Sequence, residues 1–329
     1  MQPNKIMILT EDEIRSCVPI AMEALEEVAK GYSLLAQDRA TIPPVLRIDI
    51  PEHNGEVDVK TAYLHGLDSF AIKIAAGFLD NHLLGLPTGS GMMVVVSAET
   101  GRPMAILLDN GYLTNVRTGI AGAIAAQHLA PGSCEVAGVI GSGAQARYQM
   151  RALQLVREFS TLLVYGIVEQ EVDRYVEEMA QELEVDVVKA PDAESVVRQS
   201  SIVVTTTPSR SPYLRAEWLH PGLHITCMGS DSEEKQELFP EVFAKADRIV
   251  CDKKSQVFRL GELHHALDAG VIQESDAVEL GQITAGYLPG REAEEEISIC
   301  DLTGVGVQDT QIARLAVRRA QERGLGQNV

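Results

Sequence analysis

The chain has 329 residues, 45% of them hydrophobic and 23% charged, with a formal charge of −19, enough for two domains or one large one around a substantial core. That acidity excludes a nucleic-acid or anionic-membrane partner, since both need a basic surface. No apolar run reaches the roughly 18 residues of a membrane span, and Met1-Gln-Pro-Asn-Lys-Ile6 has no signal core, so the chain reads as soluble and cytoplasmic.

Thr10 and Glu13 form a capping box that opens a helix ending near Gly31 or shortly after. Pro43-Pro44 then breaks the chain. Strands are expected over 45–50, 57–63 and 70–75, and over 92–97 and 105–108 on either side of a hairpin-like turn at 98–102. Residues 119–129 are rich in Ala and Gly and suit a closely packed helix, with Arg117 at the strand-to-helix junction before it. From Glu135 onward strands and helices alternate: a strand over 136–140, a helix to about 159, a strand over 161–164 and a helix to about 183. Further strands fall over 185–188, 202–205, 224–228 and 248–251. This rhythm predicts parallel βαβ units in a doubly wound α/β sheet. A last helix over 309–323 is expected to leave that domain.

Cys17, Cys134, Cys227, Cys251 and Cys300 show no CxxC or Cys/His ligand spacing, which points to reduced thiols and no metal site. His264 and His265 are adjacent, so on a helix their rings point about 100° apart.

The stretch Gly141-x-Gly143-x-x-Ala146 follows a predicted strand and opens a predicted helix. Gly141 permits the tight turn, Gly143 lets the backbone approach a pyrophosphate, and Ala146 is small enough for helix–strand packing. With the amides of Ala144 and Gln145 at the helix start, this is a dinucleotide site. Thr206 and Thr207 end another strand on the edge that lines such a crevice. After the second strand an acid would hold the ribose; the chain has Gly166-Ile-Val-Glu169 and no Arg for a 2′-phosphate. NAD is therefore favoured over NADP, with Glu169 as a ribose ligand or a solvated helix start.

Several ordered stretches carry a wider resemblance: Phe70-Ala-Ile-Lys73, Asn81-His-Leu-Leu-Gly-Leu-Pro87, Leu113-Thr-Asn-Val-Arg-Thr118, the glycine loop, Met228-Gly-Ser-Asp231 and Asp301-Leu-Thr-Gly304. Together they resemble the ornithine cyclodeaminase/μ-crystallin family over nearly the full chain. The run from Leu46 to His53 and that from Gly55 to Tyr63 look most like its ectoine-utilisation branch. The resemblance implies a Rossmann domain, 117–306, inserted into a strand-rich substrate-binding and dimerisation domain, 1–116 plus 307–329. It implies a homodimer, a small amino- or imino-acid substrate, and hydride exchange at the α-carbon. It also implies that Thr118 and Gly229 sit at the cofactor.

Within that resemblance Arg47 and Arg117 match residues that grip the substrate α-carboxylate, a task suited to a planar guanidinium. Lys73 lies between Ile72 and Ile74; a strand lysine among apolar neighbours needs a partner or a lowered pKa, and the matching family lysine touches the carboxylate and assists proton transfer. Asp231 matches the family acid that handles the amine proton, while 232–237 reads as a solvated loop. Lys60 falls where ornithine-processing members place a glutamate. A cation there repels an amine and attracts a carboxylate, which points to an acidic, iminosuccinate- or aspartate-like substrate. The expected activity is an imine reductase or amino-acid dehydrogenase, with a cyclodeaminase or a non-catalytic μ-crystallin-like binder as the alternatives.

Overall fold

The computed structural model describes residues 5–329; Met1 to Asn4, the start of the stretch read as lacking a signal core, lie outside the described residues. The chain divides into two compact units, Met1–Arg117 with Val305–Val329, and Thr118–Gly304. Among the described residues no helix is long and apolar enough to cross a membrane.

The first unit begins with β1 (Met7–Thr10), α1 (Glu11–Cys17) and α2 (Met22–Ala36), followed by β2 (Ala40–Thr41), β3 (Leu46–Ile50), β4 (Gly55–Leu64), β5 (Ser69–Phe78), β6 (Gly89–Ser97) and β7 (Pro103–Leu108). The Glu13 carboxylate accepts from the Thr10 amide at 2.9 Å, as a capping residue should. The single leading helix of the sequence reading is in fact two. Val18, placed before Pro19, takes φ −127° and ψ 72° at the end of α1, the extended bias that proline imposes on its predecessor.

α3 (Tyr112–Leu129) starts seven residues earlier than the Ala/Gly run suggested. Asn110 and Gly111 adopt positive φ, 51° and 83°, and the Asp109 carboxylate accepts from the Leu113 amide at 2.8 Å. That turn and cap place Arg117 inside the helix rather than at a strand-to-helix junction.

The second unit runs β8 (Val136–Ile140), α4 (Ala144–Leu153), β9 (Thr161–Tyr165), α5 (Glu169–Leu183), β10 (Asp186–Lys189), α6 (Ala193–Gln199), β11 (Ile202–Thr205), β12 (His224–Cys227), β13 (Arg248–Cys251), α7 (Lys254–Leu260), α8 (Glu262–Asp268), β14 (Ala277–Glu279), α9 (Leu280–Thr284) and β15 (Ser298–Asp301). The strand order is β10-β9-β8-β11-β12-β15-β13-β14, parallel throughout. This is the doubly wound sheet the βαβ rhythm predicted, with its order reversing between β8 and β11, where such sheets bind nucleotides. β15, not foreseen as a strand, inserts between β12 and β13. α4 ends at Leu153, short of the expected 159.

The chain then returns to the first unit through α10 (Gly306–Arg323) and β16 (Gln327–Asn328). There the sheet order is β16-β1-β7-β6-β5-β4-β2, with β3 also on β4. Alternation along β4 to β7 buries one face, and α10 packs on it. Thr310 Oγ1 donates to the Ala62 carbonyl at 2.7 Å and accepts from the Ala71 amide at 3.1 Å. A Cβ on Gly306 would stand 2.3 Å from the Thr61 carbonyl oxygen, so the helix start rides directly on the strand backbone.

Register puts Lys60 opposite Lys73, Lys73 opposite Met93, and Met93 opposite Leu107. Two lysines thus occupy one row of the inner face, beside Met93 and Leu107.

Candidate functional site

In the second unit the turn after β8 has the geometry a dinucleotide needs. Gly141 has φ +109°, and a Cβ there would lie 2.5 Å from Thr206 Oγ1. A Cβ on Gly143 would meet nothing within 4 Å, which leaves open space in front of the α4 amides. Ala146 is fully buried where α4 packs on the sheet. The loop is braced from behind: Arg147 Nη1 donates to the carbonyls of Ser142 at 2.6 Å and Gly143 at 3.1 Å, while its Nε donates to Glu178 at 2.8 Å. Gln149 Nε2 donates to the Thr118 carbonyl at 2.9 Å and reaches Gln145 Oε1 at 3.5 Å. These residues fit a bound pyrophosphate.

After β9, a cavity of about 400 Å³ is lined by Tyr165, Gly166, Ile167, Val172, Lys189 and Pro191 among others. Glu169 is highly exposed and holds Lys189 Nζ at 2.7 Å. It also lines that cavity and opens α5 as the first residue of the helix.

At the ends of β11 and β12, Thr206 Oγ1 donates to the Ile140 carbonyl at 3.1 Å, and Asp231 Oδ1 accepts from Lys235 Nζ at 2.6 Å. Thr207 and Gly229 both donate to Glu237. Glu237 corrects the reading of 232–237 as a solvated loop: its side chain is fully buried. No local signal marks it, since its partners come from 205, 207, 213 and 229.

In the first unit the two predicted cations Lys73 and Arg117 come together on an acid that sequence reasoning missed. Lys73 Nζ lies 3.1 Å and Arg117 Nε 3.0 Å from Asp309 Oδ1, and all three side chains are buried. Asp309 sits in the first turn of α10, where the helix dipole favours a carboxylate. Gln308 beside it accepts from Arg117 Nη1 at 2.9 Å and donates to the Tyr32 hydroxyl at 2.5 Å.

Burial, reinforced by Arg117 and Lys60, pushes the Lys73 ammonium down to about 7 against the pull of Asp309. Burial likewise lifts the Asp109 carboxyl to about 6. Two cations thus share one carboxylate oxygen, and Lys60 stands opposite Lys73 on the neighbouring strand.

Arg47 stands differently. Its Nε donates to Asp49 at 2.8 Å and its Nη2 to Glu56 at 2.5 Å, on a partly exposed strand. Its guanidinium is thus held by two strand carboxylates, away from the Lys73–Arg117–Asp309 cluster's own hydrogen bonds. Among the described residues no group of His, Cys, Asp and Glu is arranged to hold a metal ion.

The sequence profile of the ornithine cyclodeaminase/mu-crystallin family matches residues 4–324. An uncharacterized cyclodeaminase of Sinorhizobium fredii is 49% identical, over 97% of each chain. The iminosuccinate reductase of Paracoccus denitrificans is 33% identical, over 98% of this chain and 99% of its own. Among solved structures, the Δ1-pyrroline-2-carboxylate reductase of Thermococcus litoralis, in complex with NADH and L-proline, superposes with a TM-score of 0.93 at 30% identity, covering 98% of this chain and 100% of that one. An archaeal alanine dehydrogenase dimer with bound NAD superposes with a TM-score of 0.91 at 34% identity, covering 99% of both.

Proposed function

The chain belongs to the ornithine cyclodeaminase/mu-crystallin family, and from that premise we propose that it reduces a small acidic imino acid, of the iminosuccinate kind, to the corresponding amino acid. It is an oxidoreductase of the carbon–nitrogen bond and uses NAD, as its relatives and its glycine loop support. The observation that carries the acidic substrate is the register pair Lys60–Lys73 on a buried face. Two basic side chains side by side on one buried row disfavour a ligand with a distal amine and favour one with a distal carboxylate.

When bound, NADH supplies the hydride that reaches the imine carbon. Lys73 and Arg117 hold the α-carboxylate, with Arg47 closing on it from β3. Lys60 takes the distal carboxylate, and Asp231 manages the proton at nitrogen. Reduction balances as one hydride and one proton added across the C=N bond.

A substrate screen tests the assignment. Oxaloacetate with ammonia should be reduced with NADH, and aspartate oxidised with NAD, ahead of alanine, ornithine and diaminobutyrate. Lys60→Gln should raise KM for the dicarboxylate about tenfold or more, the usual loss on removing a charged hydrogen-bond partner. Preferred turnover of ornithine would sink the acidic-substrate reading, and proline formed from it without net cofactor change would make the protein a cyclodeaminase.

The same reading includes a homodimer. The outer face of the first sheet and the 3-10 turn Leu79–Leu84 expose Leu46, Ile48, Ile74, Leu83 and Leu84, an apolar set of the kind that marks an interface between copies. Sedimentation equilibrium should give twice the 35.7-kDa chain mass, and Ile48→Asp with Leu84→Asp should give one. A wild-type monomer would contradict it.

A further inference from the structure

We propose that Glu237 is a positioning residue for the cofactor: it locks the loop that carries Thr206 and Thr207 to the loop that carries Gly229 and Asp231. The proposal rests on the reading that these two loops border a bound dinucleotide, as the carboxyl ends of strands do in a doubly wound sheet.

Its side chain is fully buried and receives five hydrogen bonds. Oε1 accepts from the Thr207 amide at 2.7 Å, the Thr207 hydroxyl at 2.7 Å and the Tyr213 hydroxyl at 2.8 Å. Oε2 accepts from the Thr205 hydroxyl at 2.7 Å and the Gly229 amide at 3.0 Å. One carboxylate therefore ties the last residue of β11, the loop behind it and the loop behind β12. At the same point the loops touch backbone to backbone, since a Cβ on Gly229 would stand 2.2 Å from the Thr207 carbonyl oxygen.

The donors explain why a carboxylate is needed rather than an amide. Three are hydroxyls, which rotate. Two are backbone amides, fixed in direction, and there is one on each oxygen. A glutamine would turn its NH2 against the Thr207 amide or the Gly229 amide, whichever way it flipped, and donor would face donor.

Glu237 is itself anchored from the sheet. Its amide and that of Leu238 donate to Glu262 at 2.6 and 3.1 Å. The Leu263 amide in turn donates to Asp301 at the end of β15, at 3.0 Å. Three buried carboxylates thus carry the rigidity of the central strands out to the two loops.

The test uses NADH fluorescence titration and thermal melting of the full chain, with KM for NADH and for the imino acid as kinetic readouts. Glu237→Gln should raise the NADH Kd about tenfold and raise KM for NADH while leaving KM for the imino acid near wild type. Tyr213→Phe removes one rotatable donor and guards against a misfolded first variant; it should raise the NADH Kd about threefold. If both variants bind NADH as the wild type does, with only the melting temperature lowered, Glu237 is structural and the proposal is overturned. Failure of the wild type to bind NADH would instead overturn the dinucleotide reading beneath it.

Discussion

Replacing Lys73 by methionine lowers kcat/KM by about 10–10²-fold, the loss expected when a charged partner of the substrate carboxylate is removed, yet leaves a folded protein that is more stable than the wild type below pH 7. Both effects have one origin. Lys73 is 2% exposed, and its pKa falls from the usual 10.5 to about 7, first through burial, then through Arg117. Between those two values the unfolded chain holds a proton that the folded chain has released, so this group makes wild-type stability rise with pH across that window. Below pH 7 both states are protonated and the full penalty of a buried ammonium stands. Methionine fills similar space without charge, and Asp309 keeps Arg117 as its partner. The stability advantage of the variant should therefore be largest below pH 7 and close between pH 7 and 10.5. Urea denaturation at the two ends of that range, beside steady-state kinetics, checks both halves. A variant that retains turnover, or is less stable at the acid end, contradicts the assignment.

Asp309→Asn has the opposite balance. It preserves shape but removes the carboxylate oxygen that Lys73 and Arg117 share at 3.1 and 3.0 Å. Breaking a buried pair by deleting one partner destabilises by about 3–5 kcal/mol. Asp309 also holds the Lys73 pKa up, by its charge and its hydrogen bond. Its loss moves the Lys73-dependent limb of the pH–rate profile to lower pH. Added succinate should raise the melting temperature of the variant more than that of the wild type, because an external carboxylate then stands in for the missing one. An unchanged melting temperature, or equal responses to succinate, would show that Asp309 is not the counter-charge of the pair.

What sequence alone reveals here depends on how local the physics is. The glycine loop is legible because Gly141, Gly143 and Ala146 each answer a demand made within six residues. Lys73 is legible because its neighbours Ile72 and Ile74 make a charged residue conspicuous. Asp309 is not: it reads as an ordinary helix-start acid until α10 is laid across β4 and β5. Glu237 is hidden more deeply, since Ser232-Glu-Glu-Lys-Gln-Glu237 has the composition of a solvated loop and only folding brings five donors around its last residue. Two misses left signals in plain view. Asp109-Asn-Gly111 is a turn followed by a cap and announces the true start of α3, and Pro19 announces the break between α1 and α2. β15 is short and polar at both ends, and only its neighbours in the sheet make it a strand.

The first unit is sewn from both ends of the chain: Thr310 bonds to Ala62 and Ala71 across separations of 248 and 239 residues, and Gln308 reaches Tyr32 across 276. On a ribosome, strands β3 to β7 emerge long before the helix that covers them, and the contiguous second unit is synthesised in the interval. Nascent sheets with bare apolar faces are where chains stick to one another. Lys60 and Lys73 stand in the middle of that waiting face. Two buried basic side chains make that waiting face less apolar than its neighbours alone would.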